Sequence, residues 1–237
     1  RELMSHTGGF TYFPPIGNGP IAQAYVEAGI GGDATLAESI PKLKDIPLDY
    51  QPGTKWVYSI SVDIQGYLIE KLSGQTLDTF FQEKIFDPLE MEDTAFYVSA
   101  DKAHRLSGMY MPRNGSLFRT DNLGNSLGGS FLEKPAFLAG GHGLTSTASD
   151  YMKFAQMHLN RGTLNGIRIL SEDAIDLMRD NQLPEEVKGI GQLYPGNVFG
   201  LDFAVVENSE IFQKAPVGTH WWWGIAGSWF WVDPVTE

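Results

Sequence analysis

Between Pro52 and Gly74 a turn hands over directly to a helix, and this junction constrains the chain more than any other stretch. Pro52-Gly53 is a turn pair, and Trp56-Val57-Tyr58 reads as a short extended piece. Ser61 is the expected cap of a helix from Val62 to Leu72, which Gly74 ends. Ile64, Leu68, Ile69 and Leu72 are expected on one face, anchoring the helix and fixing the residues before it. A phenol held at the head of such a helix, that of Tyr58, suits proton chemistry. Free, it titrates near ~10, so it is a base at neutral pH only where cations favour the phenolate. The plainer alternative is a Tyr among Trp and Val packing as a core or rim aromatic.

Elsewhere the pattern is legible in coarse strokes. Phe10 to Ile46 is rich in Gly and Pro, with short helices expected near 21–28 and 34–43. A helix over 77–86 is ended by Asp87-Pro88. Residues 97–140 form a second loop-rich tract, with a strand-like piece from Leu106 to Met111. Ser146 or Thr147 caps a helix through Asn160 closed by Gly162, and Ser171 caps another to about Asp180. Gly200 to Val206 and Trp221 to Val232 read as two paired strands. The division this implies is a helical and loop-rich region over 1–195 and a sheet region over 196–237, within one structural unit. No internal repeat or low-complexity segment is visible.

With 237 residues, 42% of them hydrophobic, the chain can bury a sizeable core. Its 29 acidic against 17 basic residues give a formal charge of -12, which repels phosphate backbones and argues against a nucleic-acid partner. The longest apolar runs, such as Trp229 to Val232, fall far below the ~18 to 20 residues a membrane-spanning helix needs. The absence of cysteine excludes disulfides, thiol nucleophiles and thiolate metal sites, and assigns no compartment.

Longer blocks carry a resemblance. Pro52 to Phe96 contains Gly-Tyr-Leu-Ile-Glu-Lys-Leu-Ser-Gly at 66–74 and Ile-Phe-Asp-Pro-Leu-Glu-Met-Glu-Asp-Thr-Ala-Phe at 85–96. Around it stand Arg1 to Gly9, the glycine-rich Gly140-Gly141-His142-Gly143-Leu144-Thr145-Ser146-Thr147-Ala148-Ser149-Asp150, and Trp222 to Pro234. In this order the four blocks closely resemble the serine β-lactamase-like superfamily, which includes class C β-lactamases, DD-peptidases and family VIII carboxylesterases. The resemblance implies an α+β, β-lactamase/DD-peptidase-like fold in which part of an antiparallel sheet is flanked by helices. It implies Tyr58 as the catalytic base, Gly224 and Ile225 on the active-site edge strand with Ile225 as an oxyanion donor, and His142 at the cleft border. It also implies that Arg1 follows the nucleophile helix and that Val232 to Glu237 stops at a turn between strands. The chain is therefore expected to be cut at both ends, and a complementary polypeptide is expected to complete the sheet.

Superfamily members attack with the Ser of a Ser-x-x-Lys helix whose Lys helps remove the proton. That helix is expected upstream of Arg1. Ser99-Ala100-Asp101-Lys102 matches the pattern but falls where the resemblance places a surface loop. Gly124-Asn125-Ser126-Leu127-Gly128 matches the nucleophile-elbow pattern without the strand before it or the helix after it that the elbow needs. Neither is expected to be catalytic.

Two departures separate esterase from β-lactamase. Aligned back from Gly227-Ser228, Trp222 occupies the Lys position of the Lys-Thr-Gly strand and Gly224 its Gly position. The Trp-Gly-Gly pattern of family VIII esterases also begins with Trp, and the chain departs from it only at Trp223. Class C enzymes carry Asn two residues after the Tyr, where this chain has Ile60. Losing both the Lys and the Asn weakens recognition of an anionic amide, whereas a pocket of Ser59, Ile60, Trp222 and Trp223 suits a neutral ester. Tandem Trp221-Trp222-Trp223 is also explained by packing, with at least one indole on each side of a strand. His6, His104, His142, His158 and His220 are scattered without metal-site spacing, so neither metal nor cofactor is expected. The expected function is a serine hydrolase acting on short-chain esters through an acyl-enzyme. The alternatives are a β-lactamase or DD-peptidase, and a non-catalytic relic or binding module that keeps the cleft.

Overall fold

The computed structural model of the chain describes residues 1–120, 130–192, 194–212 and 214–236. The architecture is α+β. Helix α1 (Gly19–Glu27) is followed by α2 (Leu36–Ser39), which runs into a 3-10 turn, Ile40–Asp45. Thr35 begins α2 with a capping box: its side chain accepts from the Glu38 N–H while Glu38 accepts from the Thr35 N–H. Helix α3 (Ser61–Ser73) is closed by Gly74 at φ 72, the left-handed cap its sequence requires. Helix α4 (Leu77–Phe81) widens into a π-helical turn, Gln82–Phe86. Thr147 and Ser171 cap α5 (Ala148–Leu159) and α6 (Glu172–Arg179), each accepting an N–H three residues on.

The start of α3 and its buried face differ from expectation. Ile60, not Ser61, is the N-cap, and Ser59 Oγ takes the Ser61 N–H at 3.4 Å. Ile64 is buried, but Leu68 is 41% exposed and Leu72 87%. Steps of four residues rotate about 40° beyond a full turn, so Leu68 and Leu72 lie about 40° and 80° from Ile64. The buried arc extends the other way, through Asp63 and Gly66.

Strands β1 (Tyr110–Arg113) and β2 (Ser116–Arg119) form an exposed hairpin about Asn114-Gly115, both at positive φ. The strand signal from Leu106 thus begins only at Tyr110. Strands β3 (Thr163–Leu164) and β4 (Ile167–Arg168) form a minimal hairpin after α5. The largest sheet is antiparallel in the order β5 (Asn197–Phe199), β6 (Ala204–Val206), β7 (His220–Trp223), β8 (Trp229–Val232). Each of the two expected strands is interrupted. Asp202, at φ 62, sits in the turn before β6, and Gly224 to Gly227 turn the chain between β7 and β8.

Apolar side chains gather in three clusters. Tyr12, Tyr25, Leu36, Ile60, Ile64 and Leu77 pack around α3, Val198, Phe199, Val205, Val206 and Trp221 pack on the sheet, and Phe86, Met157 and Ile175 join α5 to α6. Helix α5 meets the sheet through Tyr151 on Phe230, ring centroids 5.1 Å apart, and through His158 beside Phe203 and His220. The glycine-rich loop lies against α3: a Cβ on Gly140 would stand 2.1 Å from the Val62 carbonyl oxygen. Gly140→Ala is therefore expected to lower stability by at least ~2 kcal/mol, by overpacking against backbone that cannot yield. Gly115→Ala, with open space at its Cβ but φ 77, is the comparison for backbone strain alone. Urea denaturation of both variants measures the difference.

Burial sets the acid stability. His6, His158 and His220 are each no more than 2% exposed, and desolvation lowers them from the ordinary imidazole value to about 3, about 4 and about 3. The charge of Arg179 contributes to the lowering of His158 and His220, and His158 contributes to that of His220. These groups are neutral when folded and take up protons on unfolding below ~6.5, so their contribution is lost as pH falls. Asp63 and Asp202 oppose this: burial raises them to about 6 and about 7, so the folded state holds their protons and their contribution falls as pH rises. Near pH 5 three histidines outweigh two aspartates. Between pH 6.5 and 5.0 the unfolding free energy is expected to drop by on the order of 2 kcal/mol, read by urea denaturation at both pH values.

Candidate active site

Tyr58 is fixed by its neighbours in sequence. The Val57 N–H donates to the His6 carbonyl at 3.0 Å and the Ile60 N–H to the Thr11 carbonyl at 3.1 Å, so the segment at 56–60 lies against residues 6–11. His6 reinforces the contact, its Nδ1 accepting the Ser59 N–H at 3.2 Å with Ser59 Oγ 3.0 Å away. A ring nitrogen that accepts carries no proton, which agrees with the depressed basicity of His6. The His6 ring packs against Trp56, Tyr58 and Phe199, and the Tyr58 ring stacks on Tyr12 with centroids 5.4 Å apart.

From the other side comes β7. Its pairing with β6 ends at Trp221, so from Trp222 onward the strand has one edge unpaired among the described residues. The Trp222 ring lies 5.6 Å from Tyr58, 5.4 Å from Phe199 and 6.5 Å from Trp56. The successive indoles diverge. Trp221 stacks on Phe212 and donates Nε1–H to Asn197 Oδ1 at 2.8 Å, while Trp223, 45% exposed, donates to Tyr194 Oη at 2.6 Å. Tyr58 and Trp222 thus pack against each other, with His6 against the Tyr58 ring and Phe199 against that of Trp222.

Not every residue expected at the site lines it. Ile60 is completely buried in the α3 core, and Ser59, 2% exposed, is bonded to His6 and Ser61. Neither faces open space, because the Ile60–Thr11 backbone bond turns that side of the segment inward. Gly224 is half-buried and commits its N–H to the Ser228 carbonyl at 2.7 Å, which leaves it no proton for an oxyanion. Ile225 occupies the turn after β7 rather than the strand, 48% exposed, and its N–H donates no backbone hydrogen bond among the described residues. His142 is half-buried beside Gly141, whose N–H donates to Asp63 Oδ1 at 3.1 Å. Desolvation lowers His142 to about 4. Lys102 of the Ser-x-x-Lys match binds Asp93 Oδ1 at 2.6 Å and the Glu92 carbonyl at 2.8 Å, so it is no base for Ser99. Ser126 lies outside the described residues.

Electrostatics around the phenol run against a base. Burial, then the charge of Asp63, raise Tyr58 above the ordinary phenol value, and Tyr194 and Asp202 add to this. Only a hydrogen bond with the Trp222 side chain acts the other way. Asp63 is 1% exposed in the first turn of α3, and Asp202 is held by the Gln65 amide at 3.0 Å. His6, Tyr12, Asp63, Tyr194, Phe199 and Asp202 thus belong to the site without having been singled out by the sequence. Among the described residues no group of three or more His, Asp or Glu side chains could hold a metal ion, and no helix is long and apolar enough to cross a membrane.

Comparison with known proteins places this geometry. A Mycobacterium tuberculosis protein described as uncharacterized is 35% identical over 100% of the chain and 59% of its own length. Esterase EstB of Burkholderia gladioli is 27% identical over 97% of the chain and 60% of its own length. An N-acetylmuramyl-L-alanine amidase of Bacillus subtilis is 32% identical over 59% of the chain and 34% of its own length. Among solved structures, EstCE1, described as a hydrolase with promiscuous acyltransferase activity, superposes with a TM-score of 0.79 at 25% identity, covering 99% of the chain and 63% of EstCE1. The chain spans about three fifths of the length of the first of these relatives. Its fold is the one shared by β-lactamases and penicillin-binding proteins. A family model described as Beta-lactamase matches residues 1–237, and the chain belongs to that family.

Proposed function

We propose that this chain is the larger part of a serine hydrolase, a carboxylesterase of the family VIII type that cleaves short-chain esters through an acyl-enzyme. The observation that carries the reading is the Tyr58 phenol packed against Trp222, ring centroids 5.6 Å apart, in a cluster of aromatic rings. At that strand position an indole, not an ammonium, meets the substrate, and Ile60 offers no amide. A neutral ester loses little beside such rings, whereas an anionic amide finds no charge partner. The similarity to Esterase EstB and to EstCE1 supports the same class.

In the proposed mechanism a Ser of polypeptide outside this chain attacks the ester carbonyl. Its proton passes to a base formed by a Lys of the same segment and Tyr58. The oxyanion is stabilised by the Ser N–H and by that of Ile225. The proton then goes to the departing alkoxide, and water, deprotonated by the same base, releases the acid and restores the Ser. No metal or cofactor takes part, and nucleic acid is not a partner. The same polypeptide supplies strands that complete the sheet. The outer edge of β8 is unpaired among the described residues, and Trp229 and Trp231 on it are 58% and 56% exposed.

In the longer polypeptide, Tyr58→Phe is expected to reduce hydrolysis of p-nitrophenyl acetate and butyrate by about 10² to 10⁴-fold with the fold intact by circular dichroism. Nitrocefin hydrolysis comparable to ester hydrolysis would favour the β-lactamase reading. Failure of a fluorophosphonate to add mass to the longer polypeptide would favour the non-catalytic one.

A further inference from the structure

The charge of Asp63 has no cationic partner among the described residues. One oxygen, Oδ1, holds the glycine-rich loop through the Gly141 N–H at 3.1 Å. The other, Oδ2, is buried and has no hydrogen-bond partner among the described residues. The Gly141 and Gly140 N–H groups favour the carboxylate without offsetting its burial, so it keeps a desolvation cost that loop-holding does not explain. The groups around it are acidic or neutral. Asp63 acts on the stacked phenols of Tyr12 and Tyr58, Tyr58 also feels Asp202 and Tyr194, and the adjacent loop presents the Gly140 and Gly141 N–H groups and His142. Among the described residues no Lys or Arg acts on Asp63, Tyr12 or Tyr58. Two buried carboxylates and two phenols on which no cation acts among the described residues favour one added positive charge, and a single unpartnered carboxylate oxygen suits the point charge of a primary ammonium better than the two-pronged fork of a guanidinium.

We propose that Asp63 is the counter-ion of a primary ammonium, the lysine side chain of the nucleophile-bearing segment, which it positions beside Tyr58. This rests on the hydrolase reading above. Asp63 is a positioning residue: by holding the ammonium against Tyr58 it supplies the cation that the phenolate needs.

Two measurements test it. In the longer polypeptide, Asp63→Asn keeps the loop bond and removes the charge. Ester kcat/KM is expected to fall about 10-fold or more, and the rising limb of its pH profile to move to higher pH, because the ammonium that favours the phenolate is no longer held beside Tyr58; a move to lower pH, as loss of the Asp63 charge alone would give, overturns the inference. Asp63→Glu is expected to keep the limb near its original pH. If Asp63→Asn retains the rate and the limb while Tyr58→Phe loses activity, the inference is overturned and the hydrolase reading survives. The second measurement needs no turnover. n-Butylammonium chloride is expected to raise the Tm of the 237-residue chain saturably, against sodium chloride of equal ionic strength and n-butanol as references. Asp63→Asn is expected to abolish the rise. A rise dependent on Asp63 without any ester hydrolysis in the longer polypeptide keeps the cation site and sinks the hydrolase reading. No rise, or an equal rise in Asp63→Asn, removes the site.

Discussion

A neutral imidazole joins the parts of this site. His6 accepts the Ser59 N–H, its carbonyl takes the Val57 N–H, and its ring rests on Trp56, Tyr58 and Phe199. It therefore couples the first residues of the chain, the approach to α3 and strand β5 in one contact set. Each bond alone is worth about 1 kcal/mol. Their convergence matters more, because together they leave Tyr58 one direction to face, toward Trp222. Protonating His6 would destroy the acceptor and bury a charge, so the arrangement exists only while the ring is neutral.

The second constraint is electrostatic. Within the chain, burial and the neighbouring carboxylates favour the neutral phenol of Tyr58, so the residue proposed for proton abstraction is held in its inactive state. A base assembled from this phenol and an amine carried by other polypeptide would form only on their meeting. Positioning without activation is what a cleft wall contributes by itself.

What the sequence revealed and what it hid divide along the range of the interactions. Gly74, Thr147 and Ser171 set helix ends through bonds to residues three or four away, and those ends fall within a residue or two of expectation. Ile60 could not be read this way: its place in the core is decided by Thr11, 49 positions earlier. Asp63 resembled any acid in a first helical turn, where the helix dipole alone accounts for it, and only the folded loop at 140–141 shows that it is buried. The breaks in the sheet strands also escaped notice, since a left-handed Asp202 and a turn at Ile225-Ala226 leave the apolar pattern almost unmarked.

Substitution of an indole for a cation at position 222 acquires its meaning from these charges. Suppose one ammonium occupies the proposed cation site and Asp202, raised to about 7, is half protonated near neutrality. The site then sits close to electroneutral before the phenol ionises and is negative afterwards. At ~6 Å and an effective dielectric constant of ~20, each unit charge opposes a substrate carboxylate by about 3 kcal/mol, and the chain's net charge of -12 adds a weaker repulsion from farther away. A second cation on the strand would cancel that repulsion and admit anionic substrates. Trp222 supplies apolar area and one N–H donor instead, so under the proposed reading an ionised base goes with a neutral acyl group.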